Sequence, residues 1–211
     1  MSRAALRASL ALWRRRLAYR QRRLKVSVRH HRNNSARKWR GLVDEAHHKI
    51  ARRERQLAET RPLRERAHAE MVKLLGIMEQ GANNAGADVA RIIRGGGGDP
   101  AARPPWCGYA MAYVYKKAGS RAVDWRWAAV RLVSAVSGVR RTTAPMKGDL
   151  VRFTFDHIGM FEKDNGDGTI TTLEGNTGAT GAVSDSKTGG DGVYRKVRSK
   201  QLVNDYLRVT R

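Results

Sequence analysis

The 211-residue chain contains one cysteine, Cys107, and its setting reads as that of a nucleophile. Pro104-Pro105 open a helical segment from Trp106 to Ala118 that Lys116, Lys117 and Gly119 close. Cys107, Ala110, Met111, Val114 and Ala118 fall at i, i+3, i+4, i+7 and i+11, so the cysteine heads the apolar face at the helix N-terminus. Unpaired N–H groups and the helix dipole favour a thiolate there, the form that attacks a carbonyl. A small buried cysteine in a core helix fits the same stripe, so a base is needed to decide. His157 supplies one. Lys147 to Phe153 reads as a turn into a strand, His157 to Phe161 as a second strand and Thr169 to Glu174 as a third, with Asp164 to Gly168 as the turn between the last two. A two-residue Asn165-Gly166 turn pairs Asp164 with Asp167 and sets His157 opposite Glu174; a register shifted by two sets it opposite Asn176. Either hairpin gives a thiol, a base and a polar orienter, the arrangement that nucleophilic acyl transfer requires.

Trp106-Cys107, Gly148-Asp149-Leu150-Val151, His157-Ile158-Gly159 and Glu174-Gly175-Asn176-Thr177 together resemble the cysteine, histidine-dependent amidohydrolase/peptidase (CHAP) domain of bacteriophage endolysins and bacterial wall hydrolases. Glu79 with Asn83, Asn84, Gly86 and Val89 resembles the lead-in to the cysteine of such domains. The similarity covers roughly residues 72–211. It implies an α+β, papain-like fold in which the cysteine helix packs on an antiparallel sheet carrying the histidine. By the same resemblance Cys107 is the nucleophile, His157 the base, and Glu174 and Asn176 orient His157; the Glu-x-Asn pair separates the chain from the NlpC/P60 peptidases, whose third residue is usually another histidine. The implied substrate is an amide of peptidoglycan, whether N-acetylmuramoyl–L-alanine, a stem-peptide bond or a cross-bridge. Specificity is expected in the stretches Asp124 to Thr143 and Thr177 to Gly192, and Trp106 with the glycine-rich approach is expected at the border of the cleft or in the core. Papain's upstream glutamine has no counterpart in Ala101 to Pro105, which leaves the backbone N–H of Cys107 to hold the oxyanion with a partner still to be assigned. No metal or organic cofactor is implied. Only Asp99 stands where some relatives hold calcium, and Asp164 to Gly168 lacks the glutamate a calcium loop carries at its twelfth position.

The elements that must position these residues fall into two chemically different regions. Net charge is +23, and residues 1–70 carry 21 basic against 6 acidic side chains, the first acid being Asp44. A stretch without carboxylates cannot neutralise itself, so its arginines are solvated or matched by an external anion. Leu6, Leu10, Trp13, Leu17, Leu24 and Val28, then Trp39, Leu42 or Val43, Ala46, Ile50 and Leu57, recur at helical spacing, with a break around His30 to Ser35. Two helices in a hairpin, or one bent helix, follow, and Pro62 starts another helical segment to Met78. The division is expected as a basic targeting region, 1–70, and a CHAP-like catalytic domain, 71–211. Wall polymers or a membrane surface are the expected anionic partners of the first, against a plain solvated hairpin. Nucleic acid is not expected, because no reader module is recognisable. His30-His31 and His47-His48 lack the spacing and partners of a metal site and read as solvated.

A lone cysteine excludes an intramolecular disulfide and every multi-cysteine metal framework. Arg7 and Arg14 to Arg16 interrupt the leading apolar stretch, so neither a signal peptide nor a spanning helix is expected. That pattern fits synthesis in a host cytoplasm and action at the wall, as a released lysin or a virion-borne enzyme. The four glycines Gly95 to Gly98 are expected to form a mobile connection rather than regular structure. The competing function class is a basic structural or nucleic-acid-binding protein with an inactive CHAP-like domain.

Overall fold

The computed structural model describes residues 1–179 and 190–210, in two compact units, Met1–Arg61 and Pro62–Arg211. The first is a helical hairpin of α1 (Arg3–Arg29) and α2 (Asn33–Glu59). Ser2 caps α1 by accepting from the Ala5 N–H, and His31 turns the chain at a φ of 51°. Arg14 pairs with Glu54 at 2.9 Å, Arg20 with Glu45 at 3.1 Å, and Arg53 Nε donates to Ser9 Oγ at 3.1 Å, so the first half and middle of α1 meet the second half and middle of α2, as antiparallel helices do. Leu6, Leu10, Ala36, Val43 and Ala46 form the narrow buried seam, which decides for a hairpin over a bent helix. Tyr19 and Trp39 meet edge to face, and arginines 16, 20 and 23 lie over Trp13 or Trp39.

The second unit contains α3 (Leu63–Val72), α4 (Ala87–Gly96), α5 (Cys107–Lys117) and strands β1 (Val139–Thr142), β2 (Leu150–Phe153), β3 (Ile158–Asp164), β4 (Thr169–Thr177), β5 (Gly192–Ser199) and β6 (Val203–Val209). The sheet runs β1-β6-β2-β3-β4-β5 with every neighbouring pair antiparallel, which makes the unit α+β. Because α3 places Ala67 and Met71 in the core of this unit, the division lies at Arg61/Pro62 rather than at residue 70. Strand alternation gives the sheet two apolar faces. Leu150, Ile158, Met160 and Leu173 pack with Ala110, Met111 and Val114 of α5, whereas Val151, Phe153, Phe161 and Ile170 form a smaller cluster of their own. Asp149 is fully buried, accepting from the Met146 N–H and from Arg208, and Tyr115 donates to the Gly148 carbonyl, so Gly-Asp-Leu-Val anchors the sheet.

Three expectations change. The glycine run is not a connection: Gly95 and Gly96 are the last residues of α4, and Gly97 caps it at a φ of 105°. A Cβ on Gly95 would fall 2.3 Å from the Tyr113 ring and one on Gly98 2.5 Å from Tyr109, so the glycines let α4 lie against α5. The β3–β4 turn is not the two-residue type. Asn165 N–H donates to the Thr169 carbonyl, Gly166 and Gly168 both take a φ of 84°, and a bulge at Glu162 carries the pairing to Met160 opposite Leu173. Finally, the helix expected to run to Met78 stops at Val72, and Asp124 to Thr143 holds two 3₁₀ turns and β1. Among the described residues no helix is long and apolar enough to cross a membrane.

Replacing a helical glycine by alanine ordinarily stabilises by about 0.5–1 kcal/mol. A Cβ on Gly96 would fall 2.6 Å from the Tyr109 carbonyl oxygen, which is backbone and cannot yield. Overpacking of about 1–3 kcal/mol therefore outweighs the gain. Gly96→Ala is expected to lower the urea midpoint of the second unit; a raised midpoint would refute the close-packing explanation.

Candidate active site

Cys107 begins α5 and is 6% exposed. Two glycines bring other elements up to this helix end. A Cβ on Gly175 would lie 2.8 Å from that of Ala110 and 2.9 Å from the Trp106 ring, and one on Gly108 would lie 2.1 Å from the Trp127 carbonyl oxygen. His157 sits at the turn from β2 into β3, where its N–H donates to the Phe155 carbonyl and its own carbonyl accepts from Phe153. Phe153 and Phe155 stack on each other and on the imidazole, at centroid distances of 5.8 and 5.9 Å from it. The ring is therefore fixed by packing before any polar contact is counted.

Glu174 points from β4 toward His157 with no exposed surface. Its Oε2 accepts from His157 Nε2 at 3.0 Å and from Arg198 Nη2 at 2.7 Å. Its Oε1 accepts from Arg198 Nε at 3.0 Å and Thr172 Oγ1 at 2.6 Å. Gly159 makes the room: a Cβ there would fall 2.8 Å from Glu174 Cγ. Arg198 lies over both phenylalanine rings, at 5.6 and 5.7 Å.

These contacts set the protonation states. Burial alone would push Glu174 up, yet the bonds from His157 and Arg198 prevail and hold it well below the usual carboxylate range. For His157 burial pulls down, and the hydrogen-bonding contacts with the Cys107 thiol and with Glu174 reverse it, raising the imidazole to about 9. The ring nitrogen engaged by Glu174 is Nε2. A raised folded-state value means that the stabilising contribution of His157 is complete below about 6.5 and disappears as pH climbs through 9. The depressed Glu174 contributes in the opposite sense, present above the ordinary carboxylate value and lost as pH falls.

A cleft of about 270 Å³ opens at this centre, lined by Cys107, His157 and Asn176 with Asn83, Asn84, Pro105 and Asp156. The structure thus brings together Cys107, His157 and Glu174, and places Asn176 at the same cleft in another contact. At a φ of 56°, with its amide turned to satisfy both neighbours, Asn176 accepts from the Trp106 N–H at 2.8 Å and donates to the Gly190 carbonyl at 3.0 Å. It ties the end of β4 to the head of α5. Trp106 is fully buried, its Nε1 donating to Glu79 Oε1, so it is core and not a cleft border. Glu79 Oε2 accepts from the Asn84 N–H and Asn84 Nδ2 donates to the Arg103 carbonyl, which gives the lead-in residues their structural work.

Sequence reasoning missed Arg198, Thr172, Asp156 and the two stacked phenylalanines. One signal was available: a carboxylate on a strand buried on both faces demands a cation, and Arg198 alternates onto that surface of the neighbouring strand. Within the stretch Thr177 to Gly192, residues 180–189 lie outside the described ones. Among the described residues no group of three or more histidine, cysteine, aspartate or glutamate side chains is gathered as a metal site would need. The arrangement equips the cleft for nucleophilic acyl transfer.

Residues 99–176 match the family model for the CHAP domain. Comparison with curated proteins and with solved structures gave no match. The matched span contains Cys107, His157, Glu174 and Asn176, and Arg198 falls beyond it.

Arg198→Met keeps the stem and removes the cation. It is expected to cost the second unit about 3–5 kcal/mol near neutral pH, because Glu174 stays charged and buried with fewer donors. The deficit should shrink in acid as Glu174 takes up a proton. Chemical denaturation across pH measures both, and wild-type stability in the variant at every pH would contradict the pairing described.

Proposed function

Taking residues 99–176 as a CHAP domain, which points to peptidoglycan amidase or peptidase activity at the cell wall, we propose that the chain is an endolysin-like hydrolase using Cys107 as nucleophile. The observation that carries the reading is that Cys107 and His157 line one cleft, with Glu174 buried behind them, bonded to His157 and compensated by Arg198. In the proposed cycle Cys107 enters as a thiolate paired with protonated His157, and its sulfur adds to the carbonyl carbon of the scissile amide. Protonated His157 gives its proton to the departing nitrogen as the C–N bond breaks, leaving a thioester. Neutral His157 then takes a proton from water, whose oxygen attacks the thioester; the C–S bond breaks, releasing the acid and restoring the thiolate beside protonated His157. Glu174 keeps the imidazole in its orientation and steadies its charged form.

Two donors are assigned to the oxyanion: the backbone N–H of Cys107 and the side-chain amide of Asn83, which lines the cleft from the α4 side. The role given to Asn176 is to hold the first turn of α5 in place through Trp106. The hairpin of residues 1–61 serves as the holdfast. Its exposed Arg7, Arg15, Arg22 and Lys25 meet anionic wall polymer or phospholipid, and the exposed Leu12 and Val26 add apolar surface to the same hairpin.

One experiment on a susceptible cell suspension tests both halves. Cys107→Ala is expected to bind cells normally and lose all turbidity reduction. Replacing Arg15, Arg22, Lys25 and Arg29 together by Gln should weaken cell binding at low salt and leave hydrolysis of soluble muropeptides intact. Undiminished lysis by Cys107→Ala would overturn the thiol mechanism. Unchanged binding of the multiple variant across a salt series would overturn the holdfast.

A further inference from the structure

Of the five tryptophans, Trp106 and Trp127 are buried, Trp13 and Trp39 are partly covered, and Trp125 is 74% exposed. Its exposure is imposed by a rigid support. Asp124 caps the 3₁₀ turn Trp125–Ala128 by accepting from the Arg126 N–H at 2.9 Å and also pairs with the Arg126 guanidinium. Trp127 points inward, its Nε1 bonded to the Ala122 carbonyl at 3.0 Å and its ring 5.4 Å from Tyr115. With Trp127 anchored inside, the neighbouring indole is held out in water, where a large apolar ring has no folding role.

Beside it lies a groove of about 280 Å³, separate from the Cys107 cleft and bounded by Trp125, Tyr109, Asp124, Lys116, Gly96 and Gly97. The walls are two aromatic rings, one carboxylate and one ammonium, and the floor is the exposed Gly97 beside the buried Gly96. We propose that this groove is a saccharide subsite for an N-acetylated amino sugar of the glycan strand, an inference that rests on the peptidoglycan reading above. A pyranose offers an apolar C–H face that fits the flat indole. Its hydroxyls and acetamido group find the lone pairs Asp124 keeps beyond its bonds from Arg126 and the donors Lys116 keeps beyond its bond to the Gly96 carbonyl. The rigid ring and short side chains make such binding cheap in ordering entropy. This lining of balanced charge differs from the arginine surface of the hairpin, so a neutral sugar suits it better than a polyanion.

Position defines the task. Tyr109 follows Cys107 by two residues, roughly 200° around the helix, so the groove opens on another side of α5 from the reacting thiol. The subsite therefore captures the strand and takes no part in bond making. Trp125→Ala is expected to raise KM on polymeric wall several-fold with kcat unchanged.

The direct test titrates the full chain with a neutral β-1,4-linked N-acetylglucosamine tetramer by calorimetry, so that the cationic hairpin adds nothing. Saturable binding, weakened at least tenfold by Trp125→Ala and largely kept by Trp125→Phe, is the expected result. No binding, or binding indifferent to Trp125→Ala, overturns the subsite, as does Trp125-dependent binding of adenosine without binding of the tetramer. Wall hydrolysis by the same preparation is scored separately. Hydrolysis without tetramer binding removes the subsite alone, and tetramer binding without hydrolysis supports the subsite while removing the hydrolase reading.

Discussion

The negative charge of Glu174 is buried without exposed surface, and the surrounding structure is arranged to keep it there. An ionised carboxylate in such a place is strongly unfavourable unless donors converge on it. Four hydrogen bonds from His157, Arg198 and Thr172 do so. Each donor depends in turn on something else. His157 is held by stacking on Phe153 and Phe155, Arg198 lies over those same rings, and the absence of a side chain at Gly159 leaves the space. The imidazole is thereby charged by its surroundings and aimed by its packing, the two properties a proton donor to a leaving amine requires.

A second constraint governs the sulfur. Cys107 keeps its place because α5 is gripped at close range by elements that meet it through glycine: α4 at Gly95, Gly96 and Gly98, the 3₁₀ turn at Gly108 and β4 at Gly175. Asn176 adds a direct bond from the end of β4 to the backbone just before the cysteine. Thus β4 carries Glu174 toward the histidine and also, two residues on, fastens the helix that carries the thiol. A single strand sets the relative position of the thiol and the imidazole.

Local signals in the chain spoke clearly about elements and poorly about neighbours. The apolar stripe starting at Cys107, bounded by Pro105 and Gly119, marked α5 closely, and the alternating runs from Leu150 and Thr169 marked strands. The break at His30 to Ser35 left hairpin and bent helix open, because the seam that chooses between them is a tertiary contact of α1 with α2. The burial of Glu174 called for a cation, but nothing local named Arg198 as that cation, since it comes from a strand 24 residues away whose register no local motif records. The glycine run misled for a related reason: glycine signals a turn by its dihedral freedom, but here three of the four serve close helix packing. Asn176 was read as a partner of His157 from a shifted hairpin register and from the family resemblance; its left-handed backbone and its bond to Trp106 become visible only once α5 is docked.

The most direct test of this account is the titration of His157 itself, followed by NMR of the imidazole in the intact, reduced chain. Clustered with Cys107 and Glu174, the ring is expected to remain protonated through neutrality and to lose its proton near pH 9. Titration at the ordinary value near 6.5, or a ring neutral throughout, would contradict the claim that the buried carboxylate and the thiol together hold the histidine in its charged form.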